Sequence, residues 1–193
     1  MTDLVRTATP ADKLAKTQGK GLRDLVRAKT RRSMLLVDVS GSMDSRIATG
    51  ERRIEALRKV VATLLKTHPV PVGAFGLPSR RGVGMVDGNH IPEPEGGTPL
   101  AEAIEFARTQ GANHAVVVTD GMPDNDRAAF DEARQFGGPI DVFFIGDAGE
   151  YGAQFCQRLA DLTGGTANVT DLGVDEQKQL GTKIAGLLGD GSL

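Results

Sequence analysis

The sequence predicts an α/β protein with a doubly wound, mostly parallel sheet, and three observations point there. Short apolar runs, too brief to be helices, recur through residues 33–188. Between them apolar residues return at the spacing of amphipathic helices, and alternation of the two favours a sheet with helices on both faces. Glycine is abundant, at 25 of 193 residues against a norm of roughly 7%, and many of these glycines fall where a helix should stop. No internal repeat or low-complexity tract breaks the pattern.

The elements follow in order. Met34-Leu35-Leu36-Val37 reads as a strand buried on both faces. Ile54, Leu57, Val61, Leu64 and Leu65 recur at helical spacing. Val70 to Phe75 reads as the next strand, in which Pro71 suits a strand start or an edge. Gly82 to Val86 is a short strand, and a proline- and glycine-rich loop runs on to Pro99. Leu100, Ala103, Ile104 and Ala107 form a helical stripe, and Ala115 to Val118 is the clearest buried strand of the chain. A helix over Asp124 to Phe136, a strand over Ile140 to Ile145 and a helix carrying Phe155, Leu159 and Leu162 come next. Ala167-Asn168-Val169 is a last short strand, before a helix with Leu180, Ile184 and Leu187. Gly111, Gly137, Gly138, Gly164 and Gly165 sit where helices should end. Residues 33–188 therefore read as one domain, 1–32 as a helical extension and 189–193 as a tail.

Composition excludes several classes. No run of about 18 apolar residues is present, so no spanning helix is expected. The opening Met-Thr-Asp-Leu-Val-Arg lacks the apolar core of a secretory signal. A single cysteine, Cys156, makes no internal disulfide and reads as a small core residue of a cytoplasmic protein. The net charge of −2 hides an asymmetry. Residues 1–32 hold nine basic and three acidic side chains, while the remainder holds 14 basic and 22 acidic ones. No aromatics interleave with the bases, so stacking on nucleic acid is poorly supplied. The segment reads as a solvated helix face, or as a cationic arm against the acidic body.

In an open α/β sheet, ligands bind beyond the carboxyl ends of the strands, near the point where strand order reverses. Three loops lie at such ends: Asp38-Val39-Ser40-Gly41-Ser42-Met43, Glu95-Gly96-Gly97-Thr98-Pro99-Leu100 and Thr119-Asp120-Gly121. Carboxylate and hydroxyl oxygens are hard donors, suited to Mg²⁺, Mn²⁺ or Ca²⁺. The i, i+2, i+4 spacing of Asp38, Ser40 and Ser42 places three side chains on one side of a tight, extended loop, with Gly41 letting the backbone bend close. Hydroxyls bring no charge, so an ion held largely by them keeps residual positive charge for an acid from elsewhere. Taken singly, each loop has a plainer reading, such as Thr98 capping the next helix with Pro99 at its first position.

Together the loops resemble the von Willebrand factor A domain family, whose metal-ion-dependent adhesion site reads Asp-x-Ser-x-Ser, then Thr, then Asp. Asp38, Ser40, Ser42, Thr98 and Asp120 match that pattern over a resemblance covering residues 33–188. The resemblance implies a Rossmann-like sheet of about six strands, one a short antiparallel edge. It implies that Ser40, Ser42 and Thr98 hold a divalent cation directly or through water, with Asp38 and Asp120 often acting through water. It also implies a protein-binding module rather than an enzyme, in which a partner's Asp or Glu completes the coordination. Intracellular relatives often work beside AAA+ ATPases or within metal-insertion and stress systems. The basic segment 1–32 is not part of the motif.

Enzyme readings have less support. Position 40 is Ser where haloacid-dehalogenase-like phosphatases carry their second Asp, so the general acid is missing. There is no Gly-x-x-x-x-Gly-Lys loop, and Gly82-Val83-Gly84-Met85-Val86-Asp87 ends in Asp instead of the third glycine of Gly-x-Gly-x-x-Gly. His68, His90 and His114 are scattered and read as surface or strand-end residues away from any nucleophile motif. A third class, the subunit of an assembly with an ion-bridged contact, is compatible with the same residues.

Overall fold

Alternating strands and helices build a single six-stranded sheet with the order β3-β2-β1-β4-β5-β6. The computed structural model describes residues 31–189. Strand β1 is Ser33–Asp38, β2 Val72–Phe75, β3 Val83–Met85, β4 His114–Thr119, β5 Ile140–Ile145 and β6 Ala167–Thr170. The helices are α1 (Arg53–Thr67), α2 (Leu100–Thr109), α3 (Asp126–Phe136), α4 (Tyr151–Thr163) and α5 (Val174–Gly189). All neighbouring strands pair in parallel except β2 and β3, so β3 is the antiparallel edge. The helical reading of the N-terminal segment falls on residues outside the described ones, except Arg31 and Arg32, which are not helical. Residues 190–193 of the tail also lie outside them.

The two-residue period of a strand explains how one run of apolar residues feeds two cores. Leu35 and Val37 of β1, Val116 and Val118 of β4, and Phe143 and Ile145 of β5 face α1 and α5. Met34 and Leu36, Ala115 and Val117, and Ile140, Val142 and Phe144 face the opposite side, under α2, α3 and α4. Burial on both faces removes each central strand wholly from water, which is the main stabilising contribution available to so aromatic-poor a chain. Cys156 lies in the second core, and burial pushes its thiol up to about 12, with the negative charge of Asp38 adding to the rise.

Several boundaries depart from the sequence reading for local reasons. Pro71 ends up just ahead of β2, where its carbonyl accepts from Leu35 N–H at 3.0 Å, and β2 is an inner strand. Helix α3 starts at Asp126, after Asn125 Oδ1 caps Ala128 N–H at 3.0 Å. Its expected first residue, Asp124, is instead bonded to the loop before α2. Thr98 does not cap α2: Pro99 holds the cap position, with no side-chain hydrogen bond. On α4 the buried stripe runs through Phe155, Cys156, Leu159 and Ala160, which turns Leu162 outward to 41% exposure. On α5, Leu180, Ile184 and Leu188 form the buried row, and Leu187 is only partly covered.

Candidate metal centre

Strand order reverses between β1 and β4: the chain leaves β1 towards β2 on one side and β4 towards β5 on the other. The loops leaving these two neighbours diverge and open a crevice at their carboxyl ends, where α/β sheets bind ligands. All five sequence-predicted residues gather there. Asp38 is the last residue of β1, Asp120 follows β4, and Thr98 precedes α2.

The first loop is not extended throughout. Ser40 is extended, with φ −65° and ψ 163°, but Gly41–Asp44 then make one 3₁₀ turn, closed by Met43 N–H donating to Ser40 O at 3.0 Å. Met43 is wholly buried and anchors that turn from beneath. The turn brings Ser40 Oγ and Ser42 Oγ to 3.0 Å, and Ser42 Oγ donates to Asp120 Oδ1 at 2.6 Å. The second loop is tied to the first by Gly41 N–H donating to Gly96 O at 3.1 Å. Of the four loop glycines, only Gly96 is left-handed, with φ +75°. Gly121 matters for space: a Cβ there would stand 3.2 Å from Thr98 Oγ1 and 3.6 Å from Ser42 Oγ. Hydroxyls from two loops thus lie against Gly121 of the third, where a side chain would crowd them.

Asp38 is fully buried, and both its oxygens are held. Ser40 N–H donates to Oδ1 at 2.8 Å and Thr119 Oγ1 to Oδ2 at 2.5 Å. Burial pushes the Asp38 carboxyl up from 3.8 to about 7, with Asp120 adding to the rise while the bonds from Thr119 and Ser40 resist it. A buried carboxylate in this state gains by meeting a cation. Among the described residues no three His, Cys, Asp or Glu side chains form a metal-holding group; the oxygens gathered here are those of three hydroxyls and two carboxylates.

Four further residues shape the site. Thr119 orients Asp38. Asp124 clamps Thr98 with two bonds, Thr98 N–H to Asp124 Oδ1 at 2.9 Å and Asp124 N–H to Thr98 O at 3.0 Å. Gly76, with φ +92°, passes so close to the first loop that a Cβ would stand 2.6 Å from Ser40 N. Arg53, the first residue of α1, donates from Nη1 to Asp120 Oδ2 at 2.7 Å. Thr119 and Asp124 lie beside Asp120 in the sequence and carried a local signal. Arg53 and Gly76 did not, because only the fold brings α1 and the end of β2 to this crevice.

At the opposite end of the sheet lies the strand-end histidine. His114 is a strand-end residue, but it is wholly buried rather than on the surface. Its Nδ1 lies 2.7 Å from Ser33 Oγ, and its Nε2 lies 2.8 Å from Asp141 Oδ2. Asp141 Oδ1 also accepts from Thr166 N–H and Oγ1 at 2.7 and 2.8 Å. Burial chiefly, and the Arg31 charge with it, lowers His114 below its ordinary 6.5. Burial alone would raise Asp141, but the bonds from His114 and Thr166 outweigh it and hold the carboxyl below the usual range. A ring with no exposed surface cannot meet a substrate, so this Ser-His-Asp chain braces the starts of β1, β4 and β5. His90 is exposed and pairs with Asp87 at 2.9 Å, and His68 ends α1.

No family model and no curated protein matches this sequence. Among solved structures, the chain is similar to a von Willebrand factor type A protein from Catenulispora acidiphila, with a TM-score of 0.56 and 17% identity. The likeness covers 78% of this chain and 42% of that one, so the chain spans less than half the length of the structure it matches. At that identity the match is one of fold: a mostly parallel six-stranded sheet flanked by five helices, as in the von Willebrand factor A domain.

Proposed function

We propose that this chain is a protein-binding module whose crevice holds a divalent cation, Mg²⁺ first and Mn²⁺ or Ca²⁺ as alternatives, for an acidic residue of a partner protein. One observation carries the reading. Three loops converge at the strand-order reversal and bring the hydroxyls of Ser42 and Thr98 against Gly121, where a Cβ would stand 3.6 and 3.2 Å from them. The donor chemistry supports it, since every candidate ligand is a hard oxygen.

The residues that would hold the ion are Ser40, Ser42, Thr98, Asp38 and Asp120. When bound, the ion supplies an electrophilic centre with a position left for a partner's carboxylate. The protein's own part is preorganisation. Ser40 N–H and Thr119 fix the Asp38 carboxylate, Asp124 fixes the Thr98 backbone, and Gly41 N–H ties the first loop to the second. Loops held this way lose little freedom when a ligand arrives. The same constraints favour binding over catalysis: Asp38 is buried with both oxygens engaged, a poor arrangement for a nucleophile.

The test combines metal titration with partner capture. The chelator-stripped protein is expected to bind Mg²⁺ or Mn²⁺ in calorimetry, and an acidic partner retained in Mg²⁺ should elute with chelator. Gly121→Ala places its methyl 3.2 Å from Thr98 Oγ1, and should weaken metal binding tenfold or more while leaving the circular dichroism spectrum unchanged. Partner capture that survives both chelator and Gly121→Ala would refute the mechanism.

A further inference from the structure

Asp120 is the one carboxylate of the crevice that already has a cation. Its side chain is fully buried, and its two oxygens are divided: Oδ1 accepts from Ser42 Oγ at 2.6 Å and Oδ2 from Arg53 Nη1 at 2.7 Å. Two features of Arg53 are not what helix stability would select. It is the first residue of α1, where the positive end of the helix dipole disfavours a cation. Its Nε is also buried without a hydrogen bond, a desolvation cost that a single bond to Asp120 leaves uncompensated. The helix N-terminus thus accepts a misplaced charge, and among the described residues that charge meets one carboxylate, the proposed metal ligand Asp120.

The consequence follows from counting charge. Without Arg53, two carboxylates would meet a dication and could nearly neutralise it. With Arg53 bonded to Asp120, the ring offers one uncompensated carboxylate, Asp38, beside three neutral hydroxyls. We propose that Arg53 is a built-in counter-cation that holds the intrinsic metal affinity of the crevice low, so that tight capture of the ion requires a carboxylate from the partner. Metal and acidic partner then bind cooperatively, each strengthening the other by the same factor. This inference rests on the metal-site reading above and specifies how the site is regulated.

The Arg53 charge repels a dication approaching the oxygens it is bonded to, so removing it should strengthen binding. Arg53→Gln removes the charge and keeps an amide able to donate to Asp120 Oδ2; Arg53→Lys keeps the charge. Mn²⁺ alone is titrated into chelator-stripped protein, with free ion followed by electron paramagnetic resonance and folding checked by thermal melting. Arg53→Gln is expected to bind Mn²⁺ at least tenfold more tightly than the wild type, and Arg53→Lys within a few-fold of it. Added acetate should tighten Mn²⁺ binding more in the wild type than in Arg53→Gln. If Arg53→Gln does not fold, Arg53→Met removes the same charge with an unbranched apolar side chain. Equal or weaker Mn²⁺ binding by a folded neutral variant, with the wild type binding, would overturn this inference alone. Failure of both folded proteins to bind Mn²⁺ would overturn the metal-site reading and this inference with it.

Discussion

Replacing Asp38 by Asn should stabilise the metal-free protein while abolishing its metal binding. The carboxyl is fully buried and its pKa rises from 3.8 unfolded to about 7 folded. With the folded value raised, the group's contribution to stability is fully present below about pH 4, where it is protonated in both states. That contribution is lost as pH rises towards 7, because the unfolded chain releases its proton first. Three pKa units at roughly 1.4 kcal/mol each set a ceiling of about 4 kcal/mol for the penalty at pH 8. Relaxation of a loop site and entry of water reduce this, so about 1–3 kcal/mol is expected. Asparagine leaves no orphan group, since its carbonyl can accept from Ser40 N–H and its amide can donate to Thr119 Oγ1, whose hydroxyl turns to accept. Urea unfolding in chelator at pH 5, 6, 7 and 8 provides the assay. The variant should exceed the wild type by an amount that is already about two-fifths of its full value at pH 5 and grows to that full value by pH 8. With Mg²⁺ at a hundredfold its dissociation constant, the wild type alone should gain about 2.7 kcal/mol. A variant less stable than the wild type at pH 8 in chelator, or a difference flat in pH, would show that the fold itself compensates this charge and would refute the reasoning.

Two further substitutions probe the frame around the site. Gly76→Ala forces a side chain into a left-handed position, φ +92°, with its Cβ 2.6 Å from Ser40 N; a loss of about 2–4 kcal/mol in urea unfolding is expected, and an unchanged midpoint would mean the first loop yields freely. His114→Gln removes the middle of the buried brace and should cost about 1–3 kcal/mol at pH 7. Burial holds the native His114 below 6.5, so the unfolded chain takes up a proton there and the wild type loses stability as pH falls through 6.5. The gap between wild type and His114→Gln should therefore narrow between pH 7 and 5.5, and a widening gap would contradict the depressed pKa.

The fold was legible because its signals are local. Ala115 to Val118 can be little but a buried strand, and the stripe Ile54, Leu57, Val61 and Leu64 little but a helix face, since period and length distinguish them without reference to the rest of the chain. The convergence of the five candidate residues was legible for the same reason: Asp38, Ser40 and Ser42 sit within five residues, and Thr98 and Asp120 lie at strand or helix ends that the periodicity exposes. Phe155, Leu159 and Leu162 marked a helix that is present, but which of its faces is buried was not legible, because packing of α4 on the sheet selects the row through Cys156 and Ala160.

By itself, then, the amino-acid sequence determined the class of fold, the oxygen-rich chemistry of three loops and the sheet edge on which they lie. Tertiary structure alone decided what surrounds those oxygens. Arg53 reaches Asp120 across 67 positions of sequence, and Thr119 reaches Asp38 across 81. Gly76 presses on Ser40 through the pairing of β2 with β1, and His114 finds Ser33 and Asp141 only because β1, β4 and β5 lie side by side. Periodicity is a property of neighbours along the chain. Charge compensation and desolvation are properties of neighbours in space.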